Sequence, residues 1–275
     1  MSAEILAFPS GAPAARSAPS GAGGAAPAAG GAPVLVGCSH GTSDLTGRAV
    51  VRALLDDVRA ARPDLDVREA FVDVQQPEVA DVVTSVVAPD DGAPRDAVVV
   101  PLLLSGGFHV GVDVAAAVED RGPGAGRAAA GTPLGPDPRL VDLLAERLVE
   151  AGVRSDDAVV VAAAGSSRPG AARDVERLAA GLRERHAGPV TVGYGAMASP
   201  TVTEAVAAAR AALGGAGASG GPRVVVAAYL LAPGFFHDRL LEAGADVVTA
   251  PLAPDARLTA IVLDRYVDAA ATLLR

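Results

Sequence analysis

Three polar residues stand where short apolar runs end, and their types are those that handle metals and protons. His40 closes the first run in VLVGCSHGTSD (34–44), Asp73 closes the second in AFVDVQQP (70–77), and His109 follows the third in VVVPLLLSGGFHVGVD (98–113). Neutral imidazole is the commonest side-chain metal ligand and a proton acceptor near neutral pH. A carboxylate nearby can bind the same ion or orient a histidine through its other ring nitrogen. Two histidines and one acid leave coordination positions open, which suits transfer or catalysis better than a closed structural site. Spacing alone is weak support, because His-x-Gly loops and strand-end aspartates are common.

The elements that must position these residues follow from the hydrophobic pattern. From Val34 on, β-branched runs alternate with helical periodicity, which predicts βαβ units and a parallel sheet. Strands are expected over 34–38, 67–72, 97–104 and, weakly, 127–132. Helices are expected from Ser43–Asp44 to Arg62, where Pro63 stops the turn, from Pro77 at a first-turn position, and over 112–120 and 137–151. Ligands of open parallel sheets bind beyond the carboxyl ends of the strands, so His40, Asp73 and His109 share one rim.

The same order then returns. Strands are expected over 159–163, 190–194, 224–231 and 247–251, with intervening helices, one carrying Val175, Leu178 and Leu182 on one face and one following Pro200. Gly41 pairs with Gly165, Pro77 with Pro200, Gly107 with Gly234 and Pro136 with Pro254, each pair about 120 residues apart. PLGPDPRL (133–140) answers PLAPDARL (251–258), and LLLSGGFH (102–109) answers YLLAPGFFH (229–237). The chain reads as a duplicated half: a first lobe over 33–153 and a second over 154–275. The polar set was not copied. His40 aligns with Ala164, Asp73 falls near Gly195, and His109 aligns with Phe236, with His237 one residue late. One site on the first lobe, walled by the second, is the expectation.

Composition bounds the rest. Of 275 residues, 50% are hydrophobic but only 3% aromatic, with no Trp, so the core must be aliphatic. Residues 1–32, almost all Ala, Gly, Pro and Ser, lack the bulk to offset chain entropy and read as a disordered tail. A formal net charge of -9 opposes attraction to nucleic acid and to anionic membranes. No apolar run is long enough to span a bilayer. One cysteine and no secretory signal pattern fit a reducing cytoplasm. With no lysine, cationic contacts to an anionic ligand fall to arginine, backbone N–H groups or a metal.

Other residues read more blandly. His186 in RERHAGP is expected as a solvated residue at a helix end. His237, beside Asp238 and Arg239, suits a helix start more than a ligand contact. Cys38 shares a strand face with His40 but suits a small core position. The hydroxyls of HGTSD, Ser43 among them, could cradle an anion at a helix N-terminus, although such residues are more often N-caps. A phosphoryl-accepting role for His40 lacks an adjacent arginine, since its neighbours are Ser39 and Gly41.

These segments, with AAAGSSRPGA (162–171) and AYLLAPGFFHDRL (228–240), give the chain a resemblance, over nearly everything after the tail, to sirohydrochlorin chelatases of the CbiX type. These are class II tetrapyrrole chelatases, here in their two-lobed bacterial form. The resemblance implies the α/β class II chelatase fold: two similar flavodoxin-like lobes, each a four-stranded parallel sheet with flanking helices. It also implies a lyase that inserts Co2+ or Fe2+ into sirohydrochlorin on the routes to cobalamin or sirohaem, the divalent metal being substrate and no organic cofactor being needed. His40 and His109 match the family's two metal-site histidines, and Asp73 stands where an acidic residue assists. Gln76 departs from the Glu that such proteins often carry before the proline. Ser43, Gly106, Gly107, Arg48, Arg168, Arg239 and His237 are placed to meet the carboxylate-bearing substrate. A monomer with pseudo-twofold lobes is expected, because duplication removes the need for a symmetric dimer. A carrier of metal or tetrapyrrole without turnover would need the same residues.

Overall fold

The computed structural model describes residues 31–107, 110–214 and 221–275. His109 and all but the last two residues of the expected tail lie outside them. The chain from Gly31 onward forms one compact unit.

Two four-stranded, all-parallel sheets follow one another. The first contains β1 (Val34–Ser39), β2 (Val67–Phe71), β3 (Ala97–Pro101) and β4 (Ala128–Ala130), in the order β2-β1-β3-β4. The second contains β5 (Ala158–Ala163), β6 (Val190–Tyr194), β7 (Val224–Tyr229) and β8 (Val247–Val248), in the order β6-β5-β7-β8. The orders are identical, as duplication requires. All six residues of β1, and all six of β5, are buried, the continuous apolar signature of a sheet covered on both faces.

The helices are α1 (Leu45–Ala61), α2 (Val79–Val87), α3 (Ala115–Ala117), α4 (Pro138–Glu150), α5 (Pro169–Arg183), α6 (Val202–Ala212), α7 (Phe235–Leu241) and α8 (Ala256–Ala270). Local chemistry fixes their ends. Asp44 caps α1 by accepting from Gly47 N at 2.6 Å, Thr201 and Glu204 form a capping box on α6, and Asp137 and Asp255 cap α4 and α8. Pro77 does not open α2 as expected. Its carbonyl accepts Phe71 N at 3.1 Å, so it prolongs strand-like pairing and leaves Glu78 as the cap. Nor does a regular helix fill 112–120. A π-helical turn over Val110–Val114 leads into α3 instead, consistent with the poor helix propensity of its valines and glycine.

Strand alternation sorts the core. Val34, Val36 and Cys38 face an outer cluster with Val83 of α2, and Val160 and Ala162 face another with Val206 of α6. Leu35, Val159 and Val161 point inward to one cluster shared by both sheets, which includes Leu55, Leu143, Leu178 and Ile261. Within that layer two helices change sides: α4 packs on β7 and α5, and α8 packs on β3 and α1.

The repeated PLxPDxRL segments explain themselves here. Arg265 of α8 donates to the carbonyls of Pro133 (3.0 Å) and Leu134 (3.2 Å) and to Asp137 (3.0 Å). Arg147 of α4 donates to the carbonyls of Pro251 (3.1 Å), Leu252 (2.9 Å) and Pro254 (3.2 Å). Each segment caps its own helix and receives the arginine of the other. Arg139–Asp264 (2.7 Å) and Arg257–Glu146 complete a reciprocal lock.

Candidate functional site

A cavity of about 860 Å³ opens where both sheets present the carboxyl ends of their strands, as the switch-point rule expects. Segments following β1, β3, β5 and β7 line it. Its walls are largely apolar: Phe71 and Leu102 from the first half, and Tyr194, Leu231, Phe235 and Phe236 from the second. The charged or imidazole side chains lining it, among the described residues, are His40, Arg48, Glu69 and His237.

His40 is exposed at the cavity rim, directly after β1, and its Nδ1 lies 3.4 Å from Gly41 O. Ala164, its counterpart, lines the opposite wall. Backbone bonds fasten the His40 loop to the β2 loop: Val72 N to Ser39 O at 3.0 Å and Asp73 N to His40 O at 3.1 Å. Gln75 adds a side-chain tie by accepting Thr42 N at 2.9 Å. Gly41 makes this approach possible. Its φ is +89°, and a Cβ there would collide with Asp73 O. Gly165 repeats the arrangement at φ +93°, against Ala196 O. Beyond each glycine's partner loop a bulky residue adopts positive φ, Val74 at 59° and Met197 at 57°, and both line the cavity. Val74 in particular is β-branched, so this conformation is strained and is held by its surroundings.

Asp73 is brought to the same rim, but its carboxylate turns to Val74 N at 2.7 Å and is exposed. Arg48 reaches the cavity and donates to Thr42 O at 2.7 Å. Ser43, Gly107 and His237 line it too, and the Gly106 N–H is taken by Asp174. Arg168 instead occupies the N-cap position of α5, and Arg239 is exposed, its guanidinium 5.4 Å from the Phe235 ring centre. Gln76 binds Glu78 N at 3.2 Å, at the start of α2 and away from the cavity.

His186 is not the solvated residue expected. It is partly buried past the end of α5, and its Nε2 lies 2.7 Å from Asp157 O, a bond that needs the proton on Nε2. His237 Nε2 lies 3.2 Å from Thr249 O. Cys38 is fully buried, and burial, followed by the charge of Asp113, pushes its thiol up to about 12, as suits the small core position expected of it. Among the described residues no group of three His, Cys, Asp or Glu side chains converges to hold a metal, and no helix is long and apolar enough to cross a membrane. Gln75, Glu69, Tyr229 and Asp174 escaped the sequence reading. For Tyr229 the signal was present: it replaces Leu102 of the first half.

Two pseudo-equivalent four-stranded parallel sheets facing one cavity define a two-lobed α/β protein of the class II chelatase fold. A family model for CbiX matches twice, over residues 34–151 and 158–269, and the chain belongs to the CbiX family. No curated protein matches it. Among solved structures it is similar to SirB from Bacillus subtilis with Fe3+, at 22% identity and a TM-score of 0.72, over 88% of this chain and 96% of that one. SirB from Bacillus subtilis subspecies spizizenii in complex with cobalt is similar at 20% identity and a TM-score of 0.67, with 88% and 96% covered. CbiX, "the terminal Enzyme for Biosynthesis of Siroheme in Denitrifying Bacteria", is similar at 20% identity and a TM-score of 0.59, with 86% and 98% covered. At such identities the likeness establishes the fold.

Proposed function

We propose that this protein is a lyase that inserts Co2+ or Fe2+ into sirohydrochlorin. The observation that carries the reading is a large, apolar cavity at the strand ends of both sheets with His40 on one wall and Ala164 on the other. Membership of the CbiX family supports it, as does likeness to SirB proteins solved with Fe3+ and with cobalt. A flat macrocycle suits the apolar walls, while its carboxylates can turn to solvent, to Arg48 and to the hydroxyls of Ser43 and Ser166.

The reaction releases two pyrrole protons as the ion passes from protein to four ring nitrogens. Neutral imidazole serves both needs, holding the incoming ion and then accepting a proton once the ion has left. In this reading His40 and His109 hold the metal, and Asp73 assists as ligand, orienting partner or proton acceptor after its carboxylate swings from Val74. Residues 33–153 carry the metal side, 154–275 supply the facing wall, and 1–32 form a dispensable tail. The protein acts as a cytoplasmic monomer.

Anaerobic absorbance spectra of sirohydrochlorin with the protein and either metal test the proposal. Many turnovers per protein, faster than the spontaneous reaction, are expected. Spectral change that stops at one equivalent would favour a carrier.

The two left-handed glycines separate folding from chemistry. Gly41→Ala and Gly165→Ala should each destabilise by about 3 kcal/mol, from left-handed strain plus a displaced loop. Only Gly41→Ala should also lower kcat, because its loop carries His40. Equal kcat at matched folded fractions would count against the first lobe as the reactive one.

A further inference from the structure

The first-lobe turn 104–107 is held by two polar residues of the second lobe. Tyr229, 2% exposed, donates its hydroxyl to Leu104 O at 2.9 Å, and Asp174 of α5 accepts Gly106 N at 3.1 Å through a carboxylate 14% exposed. The turn closes on itself through Gly107 N to Ser105 O at 2.9 Å. Gly135 walls in the tyrosine bond, since a Cβ there would strike both Tyr229 Oη and Leu104 O.

Neither residue has a polar counterpart. By the offset relating Gly41 to Gly165, Asp174 corresponds to Val50, and by the offset relating Gly107 to Gly234, Tyr229 corresponds to Leu102. The matching second-lobe turn is held through main chain instead, with Ala253 N on Leu231 O, the counterpart of Leu104 O, at 2.9 Å and Gly47 close under Pro233 O. The backbone bond from Leu134 N to Leu103 O (2.8 Å) repeats that from Leu252 N to Leu230 O (2.9 Å), so the scaffold is shared, and on Leu104 O the Tyr229 hydroxyl stands in for the main-chain donor that Ala253 gives Leu231 O. Both bonds fall on the lobe that carries His40, on a turn that ends two residues before His109 in the sequence.

We infer that Asp174 and Tyr229 are positioning residues through which the second lobe fixes the turn 104–107 relative to His40 and so sets the protein's affinity for the incoming metal. This rests on the chelatase reading above. Loss of such outer support typically weakens a metal site by about 10- to 100-fold.

The test uses the full chain. Asp174→Ala and Tyr229→Phe should each raise the KM for Co2+ about tenfold or more and weaken Co2+ binding, titrated with the metal alone, by a similar factor. The KM for sirohydrochlorin should stay within about twofold. Asp174→Asn keeps an acceptor for Gly106 N–H and should restore most of the Co2+ affinity. Arg177→Ala removes only the ion pair to Asp174 and should match the parent. Circular dichroism and Tm identify any variant that fails to fold, in which case the Asn–Ala comparison at 174 decides. Parental Co2+ affinity in Asp174→Ala and Tyr229→Phe, or equal shifts in both KM values, would overturn the inference while an active parent upholds the chelatase reading. A parent that neither turns over nor binds Co2+ would overturn both.

Discussion

Replacing His40 with alanine should lower kcat by about 100-fold or more, the usual loss when a group that moves a proton or hands over an ion is removed. The fold should survive, because His40 is exposed beyond β1 and contributes little to the core beneath it. His109→Ala should match it. Acting as one unit on one ion, the two changes together should cost little more than either alone. His186→Ala is the control: it loses the bond to Asp157 O, so Tm should fall while the chelation rate per folded molecule holds. The measurement is anaerobic chelation at saturating sirohydrochlorin with Co2+ and Fe2+ varied separately. Near-parental rates for His40→Ala and His109→Ala at every metal concentration would sink the assigned site. Loss of metal binding in the variants, with no turnover by the parent, would indicate a carrier instead.

The polar asymmetry behind that expectation was legible because a duplicated scaffold supplies its own reference. Gly41 and Gly165 marked the repeat in the sequence, and the structure adds that both serve the same close approach to a neighbouring loop. The exchange of α4 and α8 was harder to see, because nothing local in an amphipathic helix says which sheet it will cover. Its trace lay in the repeated PLxPDxRL segments and in Arg147 and Arg265 at the same offset, arginines whose partners are distant carbonyls. The orientation of Asp73 was not legible either. It depends on positive φ at Val74, which a β-branched residue adopts only under tertiary constraint. Tyr229 and Asp174 act across the two lobes, on a turn far from them in sequence, where periodicity carries no information.

Asp157→Ala should lower stability by about 3 kcal/mol out of a typical total of roughly 5–15. Its carboxylate is fully buried where the chain passes from α4 into β5. It accepts the backbone N–H groups of Arg154 (2.9 Å) and Arg223 (2.7 Å), and both guanidiniums, at 2.9 and 2.6 Å. Arg223 also donates to Gly152 O at 2.6 Å, so one cluster ties the crossover between the halves to β5 and β7. Truncation would leave buried donors without an acceptor. Both arginines reach solvent, which places the cost at the lower end for broken buried pairs. Burial alone would raise the pKa of Asp157, but the Arg223 side chain, the two backbone N–H groups and the Arg154 side chain outweigh it and hold the acid well below the ordinary carboxylate range. The folded pKa is therefore below the unfolded one. The stabilisation is complete above the unfolded value of about 4 and drains away as pH falls below it towards the folded value. Thermal melts from pH 7 down to pH 3 should show the parent's advantage over Asp157→Ala constant until about pH 5 and shrinking below. A difference in Tm that stays flat through pH 3, or one that grows, would show that the carboxylate's charge is not what holds this junction.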